Sequence, residues 1–351
     1  MSCPSRPYSF PFPYPFPIEA GTGRGTGTGR CERHQREPMR IESTPNGGIR
    51  VLAPAKLNLY LEVGPRRSDG FHEIDSLFHA VTLFDELEFD PLPAGEIRLE
   101  EDGIAAGEKN IVLKAAHLLR RSIGPRAEKE IGVRIRLRKG IPEGAGLGGG
   151  SSDAAATLVG LSSLWGWRSG YELFRLAAEL GSDVPFFLVG GTARCRGRGE
   201  IVSSWASAFD GGRPLHFVLV YPRLKVPTKV AYEMLDASRG HAFALTAPSP
   251  LDSMPPASIR ARLESGGLFF NRFEDVVYSS FPALGDLHAC LSKEPFVKVL
   301  LSGSGSTIYG VCRDGEEARR LAQRLSATLA AEVFAVSSER GGAEALSDEG
   351  P

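Results

Sequence analysis

The sequence has no surplus of charge of either sign. Its 351 residues carry 41 lysines and arginines against 42 aspartates and glutamates, a formal net charge of −1, with a pI near 6.7. Duplex nucleic acid binds to a basic field that this balance does not supply, so no nucleic-acid partner is expected. Cysteine is scarce as well. The five residues, Cys3, Cys31, Cys195, Cys290 and Cys312, are odd in number and none stands in C-x-x-C spacing. That argues against both a disulfide framework and a zinc site, and makes the reducing cytoplasm the expected compartment. No apolar run approaches the roughly 20 residues that cross a bilayer, so no membrane partner is expected either. A Gly-Lys dipeptide is missing altogether, which removes a Walker A loop. What is left, with 42% hydrophobic and 24% charged residues, is a globular chain long enough for two domains and suited to small ligands.

Glycine is concentrated where it matters. Pro142-Glu143-Gly144-Ala145-Gly146-Leu147-Gly148-Gly149-Gly150-Ser151-Ser152 runs into an Asp-Ala-Ala-Ala helix start. Glycines without a Cβ can take φ > 0 and bring bare N–H groups against a ligand. The helix that follows offers unpaired amides and the positive end of its dipole, a seat for phosphate. Gly144 to Gly149 also satisfies G-x-G-x-x-G, the dinucleotide-binding turn, but the run is too long for that motif and serines open the helix. A flexible linker is the other reading. Its flanks, a strand before and a helix after, speak against a linker.

Residues 1–48 differ from the rest, with Pro-Phe/Tyr repeats and a Gly-Thr-Gly-Arg tract, and read as a disordered extension. Arginines with few acids faintly resemble an organellar transit peptide, which would imply a plastid. The stretch is serine-poor and lacks an amphipathic helix, so a start at Met39 is the simpler reading.

Residues 56–63 alternate strictly, placing Leu57, Leu59, Leu61 and Val63 on one strand face and Lys56, Asn58, Tyr60 and Glu62 on a wet one. Lys56 and Asn58 then project together, roughly 7 Å apart; a solvated edge lysine is the plain alternative. A Ser-Asp-Gly turn at 68–70 leads to Phe71-His72-Glu73 and a second apolar strand. Asn110 caps a helix, and 131–138 form a strand entering the glycine loop. Helices are expected at 154–165 and 171–180. Asp183, before Val-Pro-Phe-Phe, either caps the next turn or serves chemistry. After a joint at 201–214 come a buried strand at 217–221, a helix at 228–235 and a mixture of helices (271–280, to 292, 316–330) and strands (297–301, 307–312, 332–337). A second glycine-serine turn, residues 301–306, lies between strands. The alternation indicates an α+β fold.

Five segments in this order resemble the galactokinase, homoserine kinase, mevalonate kinase and phosphomevalonate kinase (GHMP) superfamily, and within it the kinases of 4-diphosphocytidyl-2-C-methyl-D-erythritol: Pro54-Ala55-Lys56-Leu57-Asn58-Leu59, Asp69-Gly70-Phe71-His72-Glu73, residues 142–152, Gly181-Ser182-Asp183-Val184-Pro185-Phe186-Phe187 and Leu301-Ser302-Gly303-Ser304-Gly305. The resemblance covers about residues 51–337. It implies a ribosomal-protein-S5-like ATP domain (49–200), a ferredoxin-like α/β sandwich (213–340) and a flexible tail (341–351). It implies phosphoryl transfer from ATP to a small cytidine diphosphate alcohol in the non-mevalonate isoprenoid pathway, by a monomer or homodimer. Residues 142–152 would hold the ATP phosphates, and Lys56 and Asp183 would flank the hydroxyl. Phe71 and Tyr232 would sandwich the cytosine, His72 read its edge, and Asn58 and Thr228 hold the diphosphate or erythritol. Magnesium would be carried mainly by the nucleotide, with Ser152 a candidate protein ligand and no dedicated metal site. Arg272 departs from the usual Asn-Asp-x-Glu pattern at 271–274, which puts a substrate role for that segment in doubt. Another GHMP small-alcohol kinase and an inactive nucleotide-binding protein are the alternatives.

Overall fold

The computed structural model describes residues 39–339 except 94, 106, 108, 168, 206–212 and 240–248. In chain order the first half contains β1 (Arg40–Ser43), β2 (Ile49–Arg66), β3 (His72–Leu92), β4 (Ile97–Glu101), β5 (Ile104–Ala105), α1 (Ile111–Ile123), α2 (Pro125–Glu130), β6 (Gly132–Arg138), α3 (Gly149–Leu164), α4 (Gly170–Leu180), α5 (Val184–Phe187), β7 (Thr192–Gly197) and β8 (Ile201–Ser204). The second half contains β9 (His216–Tyr221), α6 (Thr228–Arg239), α7 (Pro256–Glu264), β10 (Phe270–Asn271), α8 (Glu274–Ser280), α9 (Pro282–Leu291), β11 (Lys298–Leu301), β12 (Ile308–Cys312), α10 (Gly315–Thr328) and β13 (Glu332–Ser337).

Two sheets carry the fold. In the larger, β2 and β3 form a long antiparallel pair; β3 continues to β6 through its second half and to β7 through its first. The smaller is antiparallel in the order β11-β12-β9-β13. Asn110 caps α1 through its Oδ1, which accepts from the Val112 amide at 2.9 Å, so the helix starts where the sequence placed it. One core cluster joins α1, α3 and α4 to one side of the large sheet. A second joins Ala55, Leu57, Leu59 and Tyr60 of β2 to Phe217, Leu219 and Tyr309 of the small sheet. The two sheets therefore share a dry layer, and Val81 bridges to Ser338 at its edge. Among the described residues no helix is long and apolar enough to cross a membrane.

Five expectations are corrected. The stretch read as an extension to residue 48 ends sooner: Arg40 to Ser43 pair with β2, and Met39 is buried. Alternation in 56–63 is broken by a bulge, since Asn58 faces Phe78 while Tyr60 faces Leu77, leaving Leu59 as the extra residue. Parity flips there, so Leu61 joins Lys56 and Asn58 on one side and Tyr60 joins Leu57. The side of Lys56 and Asn58 is not wet: both are buried, as is Leu61. Finally, the joint at 201–214 starts as a strand, because β8 pairs with β7, and the helix expected from 271 starts at Glu274, because Phe270 and Asn271 pair with Tyr60 and Leu61.

Candidate active site

Strand β6 delivers the chain into the glycine loop, which enters α3. Gly144, Gly146 and Gly148 have φ of +65°, +79° and +73°. Gly149 and Gly150 do not share that role: they are the first residues of the helix. Gly149 is small because a Cβ would lie 3.1 Å from the Ile141 side chain. No side chain caps α3, and Gly149, Gly150 and Ser151 line a cleft of about 780 Å³. Amides of a helix's first turn lack intrahelical acceptors, so this cleft meets the positive end of the α3 dipole.

The loop is bolted down rather than flexible. Lys56 N donates to Leu147 O at 2.9 Å and Thr307 N to Ala145 O at 3.1 Å. Ser302 Oγ donates to Gly146 O at 3.0 Å, and Tyr221 Oη to Glu143 O at 3.3 Å. The second glycine-serine turn is thus the loop's outer wall. It is held in turn by Asn271, whose Nδ2 donates to Leu301 O and Gly303 O at 2.7 and 2.8 Å. Arg272 forks onto Glu62 at 2.7 and 2.6 Å, so segment 271–274 fastens the wall, while its Phe273 lines the cleft beside Tyr232.

At the loop's other end, Lys139 Nζ lies 2.5 Å from Asp85 Oδ2 and 2.6 Å from Asp153 Oδ2. Asp85 Oδ1 also accepts from the Gly140 and Ile141 amides at 2.7 and 2.8 Å. Burial and then the neighbouring Asp85 push the Asp153 carboxyl well up. Burial opposes the Lys139 charge, yet the two carboxylates raise its pKa overall. This cluster joins β3, the residue after β6 and the N-terminal part of α3. Its members are too far apart in sequence to suggest one another.

Lys56 and Asp183 converge at the mouth of the loop. Lys56 Nζ is 3.5 Å from Asp183 Oδ2, donates to Asn58 Oδ1 at 2.7 Å and sits 4.5 Å from the centre of the Phe78 ring. These contacts accommodate an ammonium that is 4% exposed, which a solvated edge lysine would not be. Asn58 is oriented by donating to Ser76 Oγ at 3.0 Å, and Ser76 donates to Tyr60 O at 2.5 Å. Asp183 precedes α5 but makes no side-chain cap bond, so its carboxylate is left to the cleft.

The cleft brings together Lys56, Asn58, residues 142–151, Asp183, Thr228 and Tyr232. Three expected residues lie off its wall. Ser152 is fully buried with its hydroxyl unpartnered, which does not fit a metal ligand. His72 lies against Tyr232, their ring centres 4.7 Å apart, and its Nε2 is 2.8 Å from Asp236 Oδ1. Phe71 is 49% exposed, with the Arg198 guanidinium 4.8 Å from its ring centre. Arg198 and Lys225 also line the cleft, and neither carries a motif that would have revealed it.

Residues 110–191 match the family model described as GHMP kinases N terminal domain, and residues 257–331 the model described as GHMP kinases C terminal. The chain is 39% identical over 289 residues to the 4-diphosphocytidyl-2-C-methyl-D-erythritol kinase of Pelotomaculum thermopropionicum, covering 80% of this chain and 94% of that one. It is 38% identical to the kinase of the same name from Thermus thermophilus, over 79% and 92% of the two chains. A solved 4-(cytidine 5'-diphospho)-2C-methyl-D-erythritol kinase superposes with a TM-score of 0.68 at 36% identity, covering 84% of this chain and all of that one. Homoserine kinase from Cytophaga hutchinsonii shares the fold, with a TM-score of 0.58 at 18% identity over 86% and 98% of the chains.

Proposed function

Since the chain belongs to the 4-diphosphocytidyl-2-C-methyl-D-erythritol kinase family of the GHMP kinases, we propose that it transfers the γ-phosphoryl of ATP to the 2-hydroxyl of that cytidine diphosphate alcohol, in the non-mevalonate route to isoprenoid precursors. The observation that carries this reading is the Lys56–Asp183 pair, 3.5 Å apart at the mouth of an amide-lined loop.

Phosphoryl transfer asks little covalent chemistry of a protein: it needs an in-line alcohol, charge stabilisation and a destination for one proton. Asp183 accepts or orients the hydroxyl proton. Lys56 pairs with that carboxylate and spans to Asn58, which fixes where the ammonium sits. The triphosphate lies along residues 142–151, its charge met by first-turn amides. The other end of the cleft, lined by Asn110, Ile111, Leu137 and Ile141, would take the adenine. Thr228 and Tyr232 mark the alcohol substrate's end, with Phe71 and His72 beside them for the cytidine.

Magnesium finds no ready-made cage. Among the described residues no three histidine, cysteine or acidic side chains gather to hold a metal, and Asp153, on the cleft wall, is engaged by Lys139. The ion would enter on the nucleotide's phosphates and add charge neutralisation there. The bacterial relatives support a cytoplasmic setting.

ADP release measured across the cytidine diphosphate alcohol, homoserine and mevalonate tests the assignment. Turnover with the first alone is expected; turnover with either of the others but not the first overturns it. Asp183→Asn should cut kcat by orders of magnitude with little change in the KM for ATP. Near-normal kcat would remove Asp183 from the chemistry.

A further inference from the structure

Helix α6 contributes more to the substrate end than Thr228 and Tyr232. Asp236 lies one turn beyond Tyr232, on the same helix face. Its Oδ1 is 2.8 Å from His72 Nε2. The His72 ring is 8% exposed and lies nearly parallel to Tyr232, with 20° between the planes. Helix and strand are locked together next to this contact, since Arg239, three residues beyond Asp236, donates to Val63 O at 2.7 Å.

A carboxylate can only accept a hydrogen bond. An imidazole nitrogen facing one must carry the proton, so Nε2 is committed to Asp236, while Nδ1 makes no hydrogen bond among the described residues. Resting on the reading that His72 serves the cytidine diphosphate end, the geometry points to Asp236 as the positioning residue that holds His72 against Tyr232 and reserves Nδ1 for that nucleoside diphosphate. Asp236 itself touches no reacting atom. Without it the imidazole is free to turn over, and either nitrogen can face the ligand.

The test is a double-mutant cycle in the full chain: Asp236→Ala, His72→Ala and both together, each assayed for the KM of the cytidine diphosphate alcohol, the KM of ATP, and kcat. Asp236→Ala should raise the first about tenfold, the scale of one charge-assisted hydrogen bond, and leave the KM of ATP within about twofold. In the His72→Ala background the same change should do nothing further. Asp236→Asn, whose amide oxygen still accepts from Nε2, should recover most of the loss. Nitrogen-15 spectra of the free enzyme supply a second readout: Nε2 of His72 should be the protonated nitrogen in the parent, and Asp236→Ala should give a mixture. Equal losses for both substrates, or a full Asp236→Ala effect persisting without His72, would overturn the proposal. If His72→Ala leaves the alcohol's KM unchanged, the reading of His72 itself fails; if His72→Ala raises it and Asp236→Ala does not, only the role of Asp236 fails.

Discussion

Three single glycine-to-alanine changes measure how firmly the phosphate loop is held. At Gly144 the backbone is left-handed (φ +65°), but a Cβ would meet nothing nearer than Lys225 Cγ at 4.0 Å. The cost is therefore backbone strain alone, about 1 kcal/mol. At Gly146 the same strain (φ +79°) is joined by a collision, since the Cβ would lie 2.1 Å from Ser302 O and 3.0 Å from Gly305 O. Both are main-chain atoms that cannot swing aside. Overpacking of that kind adds about 1–3 kcal/mol, so Gly146→Ala should cost about 2–4 kcal/mol. Gly150 is helical, with Ile111 Cγ2 the nearest atom at 4.0 Å, and alanine there should be neutral or gain up to about 1 kcal/mol. At about 2 °C per kcal/mol for a chain of this size, thermal denaturation should separate the three by roughly 2 °C of loss, 6 °C of loss and no loss. The KM for ATP should rise most for Gly146→Ala, because relieving the collision moves the loop off its wall. If Gly144→Ala and Gly146→Ala prove equal in both measurements, the loop is not fixed by the 302–307 turn.

Lys139→Met strands two buried carboxylates side by side and should cost about 3–5 kcal/mol in urea unfolding; a cost below about 1 kcal/mol would show that the cluster is not structural. His79 gives the fold a pH dependence. Complete burial drives its pKa from 6.5 down to about 3, and its ring nitrogens lie 2.7 Å from Thr192 Oγ1 and 2.9 Å from Ser338 Oγ. The unfolded chain therefore binds a proton below pH 6.5 that the folded chain refuses until about pH 3, and stability is lost as pH falls across that window. Between pH 7 and pH 5 the loss should be about 2 kcal/mol. His79→Gln should flatten that part of the pH profile in denaturant titrations; an unchanged slope would place the effect elsewhere.

Much of the cleft's geometry was readable because it is written locally. Lys56 and Asn58 share a strand face by period, and the glycine loop announces itself by composition. What escaped reading depends on distant partners. The bulge at Leu59 leaves no trace in a sequence that alternates without fault, and it redirects Leu61 toward the cleft. The polar face looked wet because nothing in 56–63 reveals that Phe78 and Asp183 cover it. Lys139, Asp85 and Asp153 are ordinary surface residue types until the fold buries them together. Asp236 sits on an exposed turn of α6, where a carboxylate needs no explanation, and only its distance to His72 gives it one. Arg40 to Ser43 escaped because four residues are too few for a period to rise above the unusual composition ahead of them.

The interlock between the Gly146 and Ser302 segments makes the proposed nucleotide berth a joint product of both halves of the polypeptide. A fragment ending near residue 205 would surrender the carbonyl and hydroxyl that brace the berth, and would bare Leu57, Leu59 and Tyr60 to water. Chimeras that exchange the second half between related kinases must consequently transplant or match residues 302–307, or they should alter ATP affinity along with whatever the exchange was meant to change.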